Sequence, residues 1–149
     1  MKTVNKTQKG FTLIEILVVV ALIAILAAVT IVAINPAKNL ADTRNATRSS
    51  DVNSILNAVT QYLSEQGNTV AGLGTIPACS PGPAAAIGSD TGNVNLGTTL
   101  VPSYIVSIPK DPSNGTDANT GYTICTTATN RIQISAPYAE NGKTISVQR

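Results

Sequence analysis

Glu15 is an acid where a plain lipid anchor is apolar. It precedes residues 16–34, nineteen positions among which Thr30 is the single polar side chain. A carboxylate costs about 2.5–3.5 kcal/mol at the centre of a spanning helix and less near an end, so a retained one points to function and needs a partner. No Lys or Arg stands between Lys9 and Lys38. A free backbone amine can meet the acid instead. The other chemistry-bearing residues are few. Cys79 and Cys125 are the only cysteines; a redox or metal role needs more ligands, and one disulfide tying an irregular loop to a sheet is expected. Asp111, Asn114, Asp117 and Asn119 lie in a Gly- and Pro-containing stretch. Their hard oxygens can hold Ca²⁺, and the same residue types are ordinary turn formers. Histidine and tryptophan are absent, which argues against histidine catalysis and zinc. No nucleophile–base or paired-carboxylate arrangement stands out, so no enzyme activity, catalytic residue, cofactor or resident metal is expected.

The elements that carry these residues are unevenly built. The chain has 149 residues, 43% apolar and 12% charged, against roughly a quarter charged in a soluble domain. Of the 24 residues 11–34, 21 are apolar, which leaves a lean remainder for a core. Residues 16–34 as a helix span about 28 Å, close to a bilayer's roughly 30 Å hydrocarbon thickness. Val18, Val19 and Val20 suit a strand, but strands rarely exceed about ten residues, so length decides for helix. Lys2, Lys6 and Lys9 precede the apolar run without an acid, placing the N-terminus in the cytoplasm and the rest outside. A cleaved secretory signal fits poorly. Its apolar region should be about 7–15 residues with an A-x-A-like site, whereas alanines 21, 24, 27, 28 and 33 never fall two apart.

Lys9-Gly10-Phe11-Thr12-Leu13-Ile14-Glu15, followed by the apolar run, strongly resembles the processing motif of type IV pilins and pseudopilins. The resemblance implies a cut between Gly10 and Phe11 by a dedicated membrane peptidase, with Phe11 becoming the N-methylated first residue and Glu15 the fifth. It further implies that Glu15 neutralises the amine of an adjacent subunit as subunits leave the bilayer. Cutting there removes all three leader lysines yet keeps the helix permanently. The new amine, with an intrinsic pKa near 8, is largely charged at neutral pH. The sequence 108–112, Ile-Pro-Lys-Asp-Pro, is similar to the Pro-Lys/Ala-Asp-Pro loop of major pseudopilins, where it helps bind calcium. Here the usual following aromatic and glycine are missing.

Asn35-Pro36 interrupts the helical signal in one of two ways. Asn35 is an N-cap with Pro36 at the first helical position, or one long helix kinks near Pro36; the resemblance favours the long helix. Val52, Ile55, Leu56, Val59, Tyr62 and Leu63 then form a stripe at helical spacing, with Gly67 as a stop. Arg44 and Arg48 are expected on a solvated face. Residues 67–103 read as a long surface connection. Strands are expected at 104–108, 122–127, 131–136 and 144–148, with Asn141-Gly142 as a type I′ hairpin turn. The fold class is therefore α+β: a long N-terminal helix, half membrane-spanning and half amphipathic, packed on a small antiparallel head. The expected organisation is a leader at 1–10, a membrane and filament-core half at 11–35, an amphipathic half at 36–66 and a loop-rich β head at 67–149.

The leading functional expectation is a structural subunit, a type IV pilin that polymerises through its N-terminal helix. The sparse aspartate loop and the Ala/Gly/Thr-rich connection favour pilin over a pseudopilin of type II secretion or DNA uptake. A membrane-tethered binding or adhesin module is the third reading. Expected partners are copies of itself and other pilins, the prepilin peptidase, the assembly platform with its ATPase, and the membrane before assembly, after which the subunit joins a surface pilus. Without its leader lysines the chain has seven basic and eight acidic residues and no basic-aromatic stripe, so nucleic-acid binding is not expected.

Overall fold

The computed structural model describes residues 10–149; Lys2, Lys6 and Lys9, which carry the leader reading, lie outside them. The chain divides into two units between Asn39 and Leu40. In the first, α1 (Leu13–Ile34) opens on Thr12, whose extended backbone (φ −81°, ψ 151°) makes it the N-cap. Every side chain from 13 to 34 is solvent-accessible, with none buried among the described residues. Thr30, the one polar interruption, donates its hydroxyl to the Ala27 carbonyl at 2.9 Å. This local bond removes the cost of an unpaired hydroxyl in an apolar run.

Asn35 ends α1 in the left-handed conformation (φ 46°, ψ 72°), which asparagine tolerates better than most residues. Pro36 then starts α2 (Pro36–Ser64). The backbone groups left over at the junction are closed by two asparagines. Asn35 Oδ1 accepts from the Lys38 N–H at 3.2 Å, and Asn39 Nδ2 donates to the Ile34 carbonyl at 2.9 Å. Both sequence readings are met in part: Asn35 caps with Pro36 at the first helical position, and the long helix is broken at that one residue. Helical structure runs from Leu13 to Ser64, 52 residues, and is interrupted at Asn35 alone.

The second unit is an α+β head. Of the stripe read from the sequence, the head buries Val52, Ile55, Leu56 and Val59, with Ala58 added, and half-buries Tyr62 and Leu63 against the same core. Asn68 Nδ2 donates to the Tyr62 carbonyl at 2.9 Å, and Gly67 turns the chain with φ +93°. Beyond it lie a 3-10 turn (Val70–Leu73), β1 (Ala85–Ala86), a one-turn α3 (Gly97–Leu100), β2 (Thr123–Thr126), β3 (Ile132–Ser135) and β4 (Ser146–Gln148). The four strands are antiparallel in the order β1-β2-β3-β4. Ile124 and Ile134 are cross-strand partners, both fully buried, and they join the α2 stripe together with Leu73, Ile87, Leu96 and Leu100. Each such side chain contributes about 1.5–3 kcal/mol of transfer free energy.

Two local expectations are corrected. Residues 104–108 are not a strand. The N–H groups of Tyr104 and Ile105 bond instead to the Leu100 carbonyl at 2.9 and 3.2 Å, wrapping the chain around α3. The Tyr104 ring meets Tyr62 edge-on at 5.6 Å. The fourth strand comes from the proline-rich connection, where Ala85 and Ala86 pair with Ile124 and Thr123. That connection is not merely surface, since Leu73, Ile87, Leu96 and Leu100 are buried.

The hairpin turn is as expected. Asn141 and Gly142 both have positive φ (56° and 68°), as a type I′ turn requires, and the Lys143 N–H bonds to the Glu140 carbonyl at 3.2 Å. Cys79 and Cys125 form a disulfide with Cα atoms 4.9 Å apart. It fastens the connection to β2, beside paired bonds from Cys79 N–H to the Thr126 carbonyl (2.9 Å) and from Thr126 N–H to the Pro77 carbonyl (2.8 Å).

Candidate functional site

Gly10, Phe11, Thr12 and Glu15 stand together where α1 begins. Glu15 occupies the third helical position, and its N–H donates to Thr12 Oγ1 at 3.3 Å. Its carboxylate in turn accepts from the Thr12 N–H at 3.4 Å, which completes a capping box. Two orphan donors of the helix are thereby satisfied, and the negative charge lies at the positive end of the helix dipole. The geometry also has a bearing on chemistry. Thr12 N lies one residue from the nitrogen that a cut after Gly10 would free, so the acid already sits at the end of the helix where a new cation would form.

Phe11 is 82% exposed, and a Cβ on Gly10 would meet nothing within 4 Å. The fold itself thus places no steric demand for glycine at position 10. Any such demand must come from something that binds the segment.

Residues 5–31 match a family model described as the prokaryotic N-terminal methylation motif. The chain carries a prepilin-type signature. The match joins Lys6, Lys9, the Gly10-Phe11 bond, Glu15 and most of α1 in one motif, and it stops short of the head. The matched segment supports a type IV pilin-like or pseudopilin precursor. Its helix is long and apolar enough to cross a membrane. Comparisons of the chain with curated proteins and with solved structures found no match.

A second cluster lies in the head, where sequence reasoning expected a solvated face. Arg48 is 1% exposed. Its Nε donates to Asp111 Oδ2 at 2.6 Å and its Nη2 to Asp111 Oδ1 at 3.2 Å. Its Nη1 reaches Glu140 Oε2 at 2.9 Å. Arg44 grips the same Glu140 through two bonds of 2.7 and 2.6 Å. Asn45 pairs with the Glu140 backbone as a strand would, donating to its carbonyl and accepting from its N–H, both at 2.9 Å. The first turns of α2 within the head are thus tied to the 109–116 loop and to the Asn141-Gly142 turn. The signal for this was present. Stepping the apolar stripe back from Val52 lands on Arg48, Asn45 and Ala41, all buried.

The calcium reading of Asp111 and Asp117 is not supported by this geometry. Both Asp111 oxygens are occupied by Arg48, and Oδ1 also accepts from the N–H groups of Ser113 (2.9 Å) and Asn114 (3.1 Å). Asp117 is instead exposed and pairs with Lys110 at 2.8 Å. Gly121, with φ +82°, lets the chain pass close by; a Cβ there would stand 2.7 Å from Asp111 Cβ.

The cluster sets an acid limit. Hydrogen bonds from Arg44 and then Arg48 hold the Glu140 carboxyl down to about 2 from its ordinary 4.5. Burial alone would raise Asp111, but bonds from Arg48, Ser113 and Asn114 outweigh it and leave its carboxyl below the ordinary 3.8. A depressed carboxyl stabilises the fold above its unfolded value, and that stability is lost as pH falls toward the folded value. The melting temperature of the head is therefore expected to hold at neutral pH and to fall between about pH 4.5 and about 2. Glu140→Gln should lower it at pH 7 and flatten that acid slope. On the alkaline side Tyr122 is raised above 10 by burial and by its bond to Asp51 at 2.6 Å, so stability is lost as pH climbs past 10. Circular dichroism melts across the pH range check both limbs.

Proposed function

We propose that this chain is the precursor of a type IV pilin. A prepilin peptidase cuts it between Gly10 and Phe11, Phe11 is N-methylated, and the mature subunit polymerises into a surface pilus through α1. Glu15 pairs with the Phe11 amine of a neighbouring copy. The observation that carries this reading is the coincidence of the methylation motif at residues 5–31 with a following helix that buries no residue of its own among those described. Such a helix needs lipid before assembly and other copies afterwards. In a filament its β-branched and leucine side chains supply dispersion and close packing. The amine–carboxylate pair sets register, because desolvation offsets much of its attraction. The head stays outside the membrane, where its disulfide is compatible with an oxidising environment.

The test is the intact mass and first residue of the protein taken from cells. Expected is a chain beginning at N-methylated Phe11 and retaining α1; a chain beginning after residue 34 overturns the reading. Gly10→Leu is expected to leave the fold unchanged, since the site is sterically open, yet to block cutting and leave full-length precursor in the membrane. An immunoblot of the membrane fraction reads this directly. Long surface fibres that label with antibody to this chain separate a pilin from a pseudopilin, which would form only short stubs in the envelope.

A further inference from the structure

The sequence holds two Asn-Gly pairs, Asn114-Gly115 and Asn141-Gly142. Asparagine is a thermolabile residue, and most so before glycine, where no Cβ shields the following backbone nitrogen from the carboxamide. The fold treats the two pairs differently. In the 109–116 loop the Gly115 N–H donates to the Asp111 carbonyl at 3.0 Å and the Asn114 N–H to Asp111 Oδ1 at 3.1 Å. Space is also short there, since a Cβ on Gly115 would stand 2.7 Å from the Thr120 carbonyl oxygen. Asp111 itself is buried in the grip of Arg48, so the Gly115 nitrogen comes free only when the loop opens. At the hairpin turn Asn141 and Gly142 are both exposed. The Gly142 N–H bonds to no backbone carbonyl among the described residues, and a Cβ on Gly142 would meet nothing within 4 Å.

We propose that Asn141 is a self-modification site: in the folded head it deamidates while Asn114 is held back, and the acid so formed releases the turn from α2. The Gly142 nitrogen attacks Asn141 Cγ and gives its proton to water. The Cγ–Nδ2 bond breaks, and the nitrogen leaves as ammonia with a proton taken from water. Water then opens the cyclic imide at either carbonyl, giving aspartate or isoaspartate, with no oxidant or reductant needed. In the unmodified chain Asn141 Nδ2 donates to Asp42 Oδ1 at 3.2 Å, an oxygen that also accepts from Lys143 Nζ at 3.0 Å. Deamidation replaces that donor with a second carboxylate, so attraction between the turn and α2 becomes repulsion. Isoaspartate also adds a backbone carbon to a two-residue turn whose Glu140 is paired with Arg44 and Asn45. This chemistry belongs to the head alone and stands apart from the filament reading.

The test ages the full chain in detergent micelles, in warm and mildly alkaline buffer, against a zero-time control. After reduction, tryptic cuts at Lys110, Arg131 and Lys143 put Asn114 and Asn141 on separate peptides, and mass spectrometry reads the conversion of amide to acid on each. In the folded chain Asn141 should convert at least about tenfold faster than Asn114, the protection that one hydrogen bond and its loop supply. The two rates should converge when the chain is aged unfolded in guanidinium. Conversion of Asn141 no faster than that of Asn114 in the folded chain, or a bias that persists unchanged after unfolding, would each overturn the proposal. Asn141→Asp installs one product directly and should melt roughly 5 °C below wild type by circular dichroism. The same substitution made in an Asp42→Asn background should cost much less, because the repelling carboxylate is gone. An Asn141→Asp chain that melts with wild type, or a loss that is undiminished in the Asp42→Asn background, overturns the release of the turn.

Discussion

Glu15→Val is expected to leave the chain inserted and cut but to abolish its fibres. Valine removes the one acid from the start of an apolar helix, so membrane insertion does not suffer. The segment around the scissile bond is unchanged, so cutting proceeds. What is lost is the proposed partner of the neighbouring amine. Opposite charges about 4 Å apart at an effective dielectric near 20 attract by roughly 4 kcal/mol, and desolvation takes back much of it. Even about 1.4 kcal/mol left over is tenfold in association at every added subunit. The capping bond from the Thr12 N–H at 3.4 Å goes as well, which loosens the end of the helix that must dock. N-terminal sequencing of the membrane fraction and electron microscopy of sheared fibres test this together. Fibres at wild-type abundance from cut Glu15→Val protein would remove the assembly mechanism.

The second large effect is in the head. Cys79→Ser, or reduction of the disulfide, should cost on the order of 4 kcal/mol in the chain-entropy model for a separation of 46 residues. For a domain of this size that is a fall in melting temperature of roughly 15 °C. The head has little with which to absorb the loss, because much of the connection it fastens is loop. Melts with and without reductant, compared with Cys79→Ser under the same conditions, read the effect. A fall of only a few degrees would mean that the bonds between Thr126 and residues 77–79 hold the connection without covalent help.

The legible parts of this fold were those determined by local chemistry. The α2 stripe, the Asn141-Gly142 turn and the β2–β3 pair follow from periodicity and turn type, and the motif at the head of α1 depends on spacing alone. The parts missed were set by partners distant in sequence. Residues 104–108 have strand-like composition, yet Tyr104 and Ile105 bond back to Leu100, between prolines 102 and 109, and propensity yields to that local wrapping. Ala85 and Ala86 become a strand only because β2 presents an edge to them. The burial of Arg48 could be read from the stripe extended back from Val52, but its partners, Asp111 and Glu140, lie 63 and 92 residues away. Nothing near it in the chain signals either one. The methylation motif was legible because it is contiguous, whereas the head's charged cluster exists only once the chain has folded.

A helix that buries none of its described side chains leaves the protein without any self-contained resting state. Removed from lipid, the lone molecule exposes Leu17, Ile23, Leu26 and Val32 to water and has no means of hiding them by itself. If the protein polymerises as proposed, extraction and docking must overlap in time, each departing molecule being received by those already stacked before its greasy shaft is fully wet. On that reading growth by capture from a dissolved pool is closed to it, and any broken length of fibre should rejoin a bilayer or clump rather than disperse into single molecules.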